Sequence, residues 1–406
     1  VPTIEPTDAA PDPGRTARSA PVVALELFEV EVPLSSIARS AMSESDNGLG
    51  MAIQAEEPWV SADFLFVRLV DEDGVEGWGE CYVWVPESAV SQRSMALVIR
   101  EHIGRYLLGA RAADIQAVAA RMDRNIPRNE MAKGVLDVAL HELAARQVGR
   151  PVHDLIGGAA VDRIPLCGLV PLGAPDVVAG LCAGYVGAGY RSLRIKLGSG
   201  PRADLDVVRA VRERVGWDVR LRCDYNQAYD APTAVRALRL LEPFDIDAAE
   251  QPLPIGDVVG MTWVQQRTAI PLFPHEGFFS MSDVIALVEL GGMGVLGINT
   301  ERPGGITGAL RAIDYAAARG MGTIIHNQPL GIGTAAHAHI AAARWDRLGH
   351  APELAGDVMF EETLTTDRYR VEDGCMVLPG GPGWGISVDR DALDRYLVAE
   401  PTLLRA

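Results

Sequence analysis

Three acidic residues, Asp224, Glu250 and Glu276, stand at a constant interval of 26 residues. Each follows a short apolar, strand-like run: Val219–Cys223, Ile246–Ala249 and Ile270–Phe273. One strand–helix unit of a (β/α)8 barrel takes about that length, since such barrels spread ~250 residues over eight units. The interval therefore predicts three consecutive barrel strands, each with a carboxylate at its C-terminal end. Carboxylates gathered there would converge on one point and need a counter-ion. Hard oxygen ligands suit a divalent cation such as Mg²⁺.

The rest of the chain agrees with a barrel. From about residue 162, short apolar runs alternate with helical segments, a pattern that implies a parallel sheet. The expected strands are Ile164–Val170, Ser192–Leu197, Arg220–Asp224, Ile246–Glu250, Leu272–Glu276, Val295–Asn299, Gly322–His326 and an eighth near Val358–Phe360. No glycine-rich nucleotide fingerprint follows the first of them, which favours closure over an open sheet. Earlier, Val22–Pro33 and Phe64–Val70 read as antiparallel strands, and Met131–Gln147 has helical periodicity ended by Gly149 and Pro151. The resulting division is a disordered arm (1–20), an α+β domain (21–160), the barrel (161–365) and a turn-rich C-terminal segment (366–406) that returns to the small domain. The polar stretch 35–61 is too long for a simple connection and reads as a lid loop, with Arg39, Glu44, Asn47 and Trp59 as candidate contacts. Trp84 is a further candidate pocket wall.

Composition narrows the partners. A net charge of −17 excludes nucleic acid and anionic membranes as attractive surfaces. The five cysteines are scattered without a CxxC pair, so a reducing, cytoplasmic location is expected and a zinc site is not. The uncharged stretch Gly320–Ala343 holds three histidines and makes a poor membrane span.

Continuing the ladder in both directions adds Lys196, 28 residues before Asp224, then Asn299 and His326 at intervals of 23 and 27. Arg194 and Lys196 are two apart in a strand and face the same side. A neighbouring guanidinium favours the neutral amine that a general base needs. His337 and His339 fall on different faces of one helix and read as structural.

The order Arg194-Ile195-Lys196, Asp224-Tyr225-Asn226, Glu250-Gln251-Pro252, Pro274-His275-Glu276, Gly304-Gly305-Ile306-Thr307 and Pro382-Gly383-Trp384-Gly385 resembles the enolase superfamily, close to its mandelate racemase and muconate lactonizing branches. The resemblance covers nearly all of the chain after the arm. It implies a modified TIM barrel under an N-terminal α+β capping domain, with Mg²⁺ on Asp224, Glu250 and Glu276. It also implies Lys196 as the base that takes the proton α to a substrate carboxylate, and a homo-oligomer. Arg194 departs from the family's lysine there. Asn299 departs from the lysine or aspartate of the isomerising branches, which leaves His326 beside an amide. Against the family pattern, His350 stands in place of an acid at the eighth strand end. Asn226 is expected to support the metal or touch substrate. Because His326-Asn327-Gln328-Pro329 is similar to a stretch of acid-sugar dehydratases, the expected reaction is dehydration of an acid sugar or similar hydroxy acid. His326 would then be the general acid. Racemisation, epimerisation or cycloisomerisation is the alternative, and a barrel that binds metal and carboxylate without turnover is a third.

Overall fold

Alternating apolar residues near the start of the chain build a four-stranded antiparallel sheet. Val22–Pro33 pairs with Ser61–Asp71, which pairs with Glu76–Val83, and Thr402–Arg405 from the end of the chain adds to the other edge. The computed structural model describes residues 19–36, 38, 39, 59–327 and 329–406. The arm before residue 19 and the lid candidates Glu44 and Asn47 lie outside these residues.

The helix Glu130–Gln147 packs on this sheet, buried continuously from Met131 to Ala145. It is buried nearly all round because it is sandwiched: the sheet covers one side and the barrel helix Gly305–Ala318 another. Close approach is bought with glycine: a Cβ on Gly79 would lie 2.2 Å from the carbonyl oxygen of Val135.

The barrel strands are Cys167–Val170, Ser192–Lys196, Arg220–Asp224, Ile246–Glu250, Leu272–Phe273, Val295–Ile298, Gly322–Asn327 and Glu353–Leu354. Parallel pairing joins the first five in order, and the sixth to the eighth. Single backbone hydrogen bonds close the ring, from Gly294 N–H to Leu272 (2.8 Å) and from Cys167 N–H to Pro352 (2.9 Å). Helices such as Pro201–Val215, Ala231–Leu241 and Met281–Glu289 cover the outside. Proline or a capping side chain starts each: Asp230 accepts from Thr233 N–H, and Ser280 forms a capping box with Asp283.

Two strand expectations are corrected. The eighth strand is Glu353–Leu354, and Gly356–Met359 is helical instead. Phe360 leaves the barrel to pack edge-on against Phe64 of the small sheet, ring centres 5.1 Å apart. The first expected strand splits, because Arg163–Pro165 pairs with Cys375–Val377 outside the barrel. The uncharged stretch from Gly320 is a strand and a helix of the barrel, and no helix among the described residues is long and apolar enough to cross a membrane.

Candidate active site

Register sets the site. Lys196 pairs with Asp224 and Asp224 with Glu250, so three consecutive strand ends carry their charges in one row at the C-terminal mouth. On the other arc His326 pairs with Glu353. One pleat below the row, Arg194 pairs with Arg222, and both guanidinium groups are buried inside the barrel. Isolated cations would be prohibitive there, so acids surround them. Arg222 Nη2 lies 2.9 Å from Glu353 Oε1.

Arg194 occupies the centre. Its Nη1 is 3.1 Å from Asp224 Oδ2, and 3.2 Å from both Glu250 Oε2 and Glu353 Oε2. The same nitrogen donates to His326 Nε2 at 3.0 Å. Lys196 Nζ donates to Asp224 Oδ2 at 2.5 Å and to the side-chain oxygen of Asn226. Asn226 in turn donates to Glu276 Oε1 at 3.0 Å. It holds this bridge with a left-handed backbone, φ 39°, a conformation that asparagine tolerates better than most residues.

The charges divide unequally. Burial alone would raise Asp224, but Lys196 and Arg194 outweigh it and hold that carboxyl below the usual range. Burial, then repulsion from Asp224, pushes Glu250 well up; burial, then Glu87 and Asp224, pushes Glu276 up to about 7. Glu250 Oε1 and Glu276 Oε2 are both buried without a hydrogen-bond partner. Two orphaned carboxylate oxygens beside Asp224 form a hard, anionic set that suits a divalent cation.

His275, which sequence reasoning passed over, projects into the same space. Its ring lies 3.8 Å from that of His326, centre to centre, and its Nδ1 is 3.5 Å from Glu250 Oε1. Glu250, His275 and His326 offer donor atoms within 4.8 Å of one another. Both imidazoles already accept from guanidinium groups, however: His275 Nε2 from Arg302 at 3.1 Å and His326 Nε2 from Arg194. A guanidinium has no acceptor, so those lone pairs are engaged. The carboxylates remain the better cation ligands. Burial, followed by the neighbouring cationic side chains for His275 and by His275 and Arg194 for His326, keeps both rings well below the ordinary histidine range.

The other sequence candidates separate. Asn299 sits at the mouth but contacts His275 (3.4 Å) and the backbone N–H of Arg302 (2.9 Å) instead of His326. His350 is outside the site. It lies at the opposite, N-terminal end of the barrel, 3.6 Å from Asp247 and beside Arg220. The eighth-strand acid is Glu353, fully buried. Trp84 lines the mouth and stacks on Trp59, ring centres 5.4 Å apart, whereas Arg39 is exposed. His337 and His339 are structural: each accepts a backbone N–H, from Thr300 at 2.9 Å and His153 at 3.0 Å.

With this geometry in view, comparison with known proteins settles the family. Residues 49–157 match the mandelate racemase/muconate lactonizing enzyme N-terminal domain, and residues 177–392 match the enolase C-terminal domain-like family. The chain belongs to the mandelate racemase/muconate lactonizing enzyme family. It is 26% identical to the N-succinyl-L-Arg/Lys racemase of Bacillus cereus over 82% of this chain and 90% of that protein. It is 30% identical to the hydrophobic dipeptide epimerase of Enterococcus faecalis over 70% and 80%. To the chloromuconate cycloisomerase of Cupriavidus pinatubonensis it is 29% identical, over 82% and 90%. Among solved structures, the dipeptide epimerase from Enterococcus faecalis complexed with Mg and the dipeptide L-Leu-L-Tyr superposes with a TM-score of 0.79, at 26% identity over 90% of this chain and 99% of that one. The Bacillus cereus racemase shares the fold with a TM-score of 0.84, over 95% of this chain and 100% of that one, at 24% identity. These relatives are isomerases, so the family points to an enzyme of that kind; none of them is a dehydratase.

Proposed function

We propose that this protein is a divalent-cation-dependent isomerase that removes the proton α to a small substrate's carboxylate, with Lys196 as the base. The observation that carries the reading is the row at the mouth. There the Lys196 amine contacts Asp224 and Asn226, with the orphaned oxygens of Glu250 and Glu276 alongside. Asp224, Glu250 and Glu276 would hold the cation, for which Mg²⁺ is the fitting choice, and it would supply Lewis-acid stabilisation of enediolate oxygens. Lys196 is placed to receive the proton, and Asn226 orients the amine while fixing Glu276. From one pleat below, Arg194 offsets the charge of Asp224, Glu250 and Glu353, and Arg222 that of Glu353, which reduces the repulsion at the mouth.

Isomerisation by two bases needs a second proton carrier across the ring from Lys196. The sixth strand ends in Asn299, an amide, so the titratable groups near that place are His275 and His326. Both are held neutral, and each Nε2 lone pair is engaged by a guanidinium, so either ring would carry a proton only after that contact opened. Dehydration of a hydroxy acid is the second reading, favoured by the position of His326 at the mouth.

Proton NMR in D₂O, with Mg²⁺ and a panel of N-acyl amino acids, dipeptides, unsaturated diacids and hydroxy acids, tests both. The proposal predicts metal-dependent deuterium at the α carbon and an isomeric product. A 2-keto product would select dehydration, and no exchange across the panel would overturn the assignment.

A further inference from the structure

The strand that carries Lys196 leaves the barrel through a turn whose own sequence does little to hold it still. Gly198 and Gly200 both have positive φ, 118° and 122°, and glycine has the most backbone freedom to lose. Yet each N–H of this turn is engaged. Leu197 N–H donates to the Asp224 carbonyl at 2.9 Å. The N–H groups of Gly198 and Ser199 donate to Asp204 Oδ1 at 2.9 and 3.2 Å, and that of Gly200 donates to the Tyr229 hydroxyl at 2.9 Å. The same hydroxyl donates to Asp204 Oδ2.

Asp204 is spent on this turn. It lies in the helix Pro201–Val215 and is 1% exposed, but its side chain reaches back past the start of that helix to Gly198 and Ser199. Burial pushes its carboxyl up, and the bonds from Tyr229, Gly198 and Ser199 pull it back. A buried carboxylate is tolerated only with such partners.

Tyr229 belongs to the neighbouring loop, which follows the strand of Asp224 and carries Asn226. Its backbone N–H donates to the Pro252 carbonyl at 3.0 Å, and Gln227 N–H donates to the Gln251 carbonyl at 2.7 Å, so this loop is tied in turn to the strand end of Glu250. The two loops meet closely: a Cβ on Gly198 would lie 2.7 Å from that of Ala228. The chain segments joined in this way supply both the Lys196 amine and the Asn226 oxygen that it contacts.

We propose that Asp204 and Tyr229 are positioning residues for proton abstraction, locking the turn after Lys196 to the loop of Asn226 and so fixing where the amine stands. The proposal rests on the reading of Lys196 as the base. A displacement of about 1 Å at a reacting group can cost about 10²-fold in rate. The carboxylates of the row are set by strand register, so loss of the clamp should act on turnover and spare metal binding.

The test begins with Tyr229→Phe, which removes the hydroxyl and keeps the ring that packs 5.3 Å from that of Tyr225. With the fastest-exchanging carboxylate of the panel at saturation, well below the melting temperature, α-deuterium incorporation should slow about fivefold or more. KM and the Mg²⁺-induced rise in melting temperature should stay within about twofold of wild type. Asp204→Asn keeps an acceptor for Gly198 and Ser199, and should retain more of the rate than Asp204→Ala. Amide hydrogen exchange of the 198–200 turn, followed with Mg²⁺ and no substrate, should speed up about fivefold or more in Tyr229→Phe. A contact that only stabilised the fold would lower the melting temperature and leave turnover unchanged. A smaller loss of turnover, a loss confined to KM, an abolished Mg²⁺ response or unchanged amide exchange would each overturn the proposal. A wild type that exchanges no carboxylate would count against the isomerase reading instead, and amide exchange would then uphold or overturn the clamp by itself.

Discussion

Replacing Arg194 with methionine removes the one cation that touches three carboxylates inside the barrel. Each contact, at 3.1–3.2 Å, corresponds to about 5 kcal/mol of gross Coulomb attraction at an effective dielectric near 20. Most of that is offset by the cost of burying the guanidinium. The net loss on breaking a buried network of this kind is about 3–5 kcal/mol. At neutral pH, Arg194→Met should therefore lower the melting temperature by several degrees. The sign with pH follows from the acids left behind. Without the guanidinium Asp224 loses part of what holds its carboxyl down, and Glu250, already pushed up, is pushed further, so the penalty is small below about pH 4 and grows as pH increases. A divalent cation should repay part of the loss, because the freed carboxylates gain an alternative counter-ion; saturation at 100 times Kd is worth about 2.7 kcal/mol. The assay is scanning calorimetry of wild type and variant at pH 5 and 8, with EDTA or Mg²⁺. A variant that melts within one degree of wild type at pH 8, or gains no more from Mg²⁺ than wild type does, would refute the reasoning.

Other perturbations separate structure from chemistry. Glu80 is buried where Leu330 and Gly333 donate backbone N–H groups to it, and burial still pushes it up to about 8. A folded pKa above the unfolded value means its contribution is complete below about pH 4.5 and is lost as pH rises through about 8. Denaturation midpoints should fall across that window, and Glu80→Gln should flatten the decline; an unchanged slope would contradict the assignment. Gly79→Ala forces a Cβ to within 2.2 Å of the Val135 carbonyl, and urea titration should show a loss of about 1–3 kcal/mol or failure to fold. His350→Ala, at the far end of the barrel, should leave kcat/KM within about twofold of wild type, whereas a hundredfold loss would return it to the site.

Much of this site was legible because strand ends obey simple geometry. Asp224 and Glu250 each end an apolar run, and parallel register then sets Asp224 beside Lys196 and Glu250 beside Asp224. Glu353 was missed because its strand is two residues long and carries no apolar run, so the more hydrophobic Val358–Phe360 drew the assignment. His350 was drawn into the site by the same error of register. His275 and Arg302 were harder for another reason. They lie just beyond strand ends, where the chain has left the sheet and the two-residue period no longer says which way a side chain points. Their neighbours Glu276 and Asn299 were recognised, but their own directions needed the three-dimensional path. Glu87 comes from the small domain, and only packing of the two domains brings it to Arg302.

The central claim is that Lys196 takes the α proton, and isotope exchange in Lys196→Met tests it most directly. With the fastest-exchanging carboxylate of the panel, the account predicts a loss of α-deuterium incorporation of at least about 10²-fold, the lower bound for removing a general base, with the Mg²⁺-induced rise in melting temperature retained. Exchange that persists within about tenfold of wild type, while that rise is retained, would contradict it.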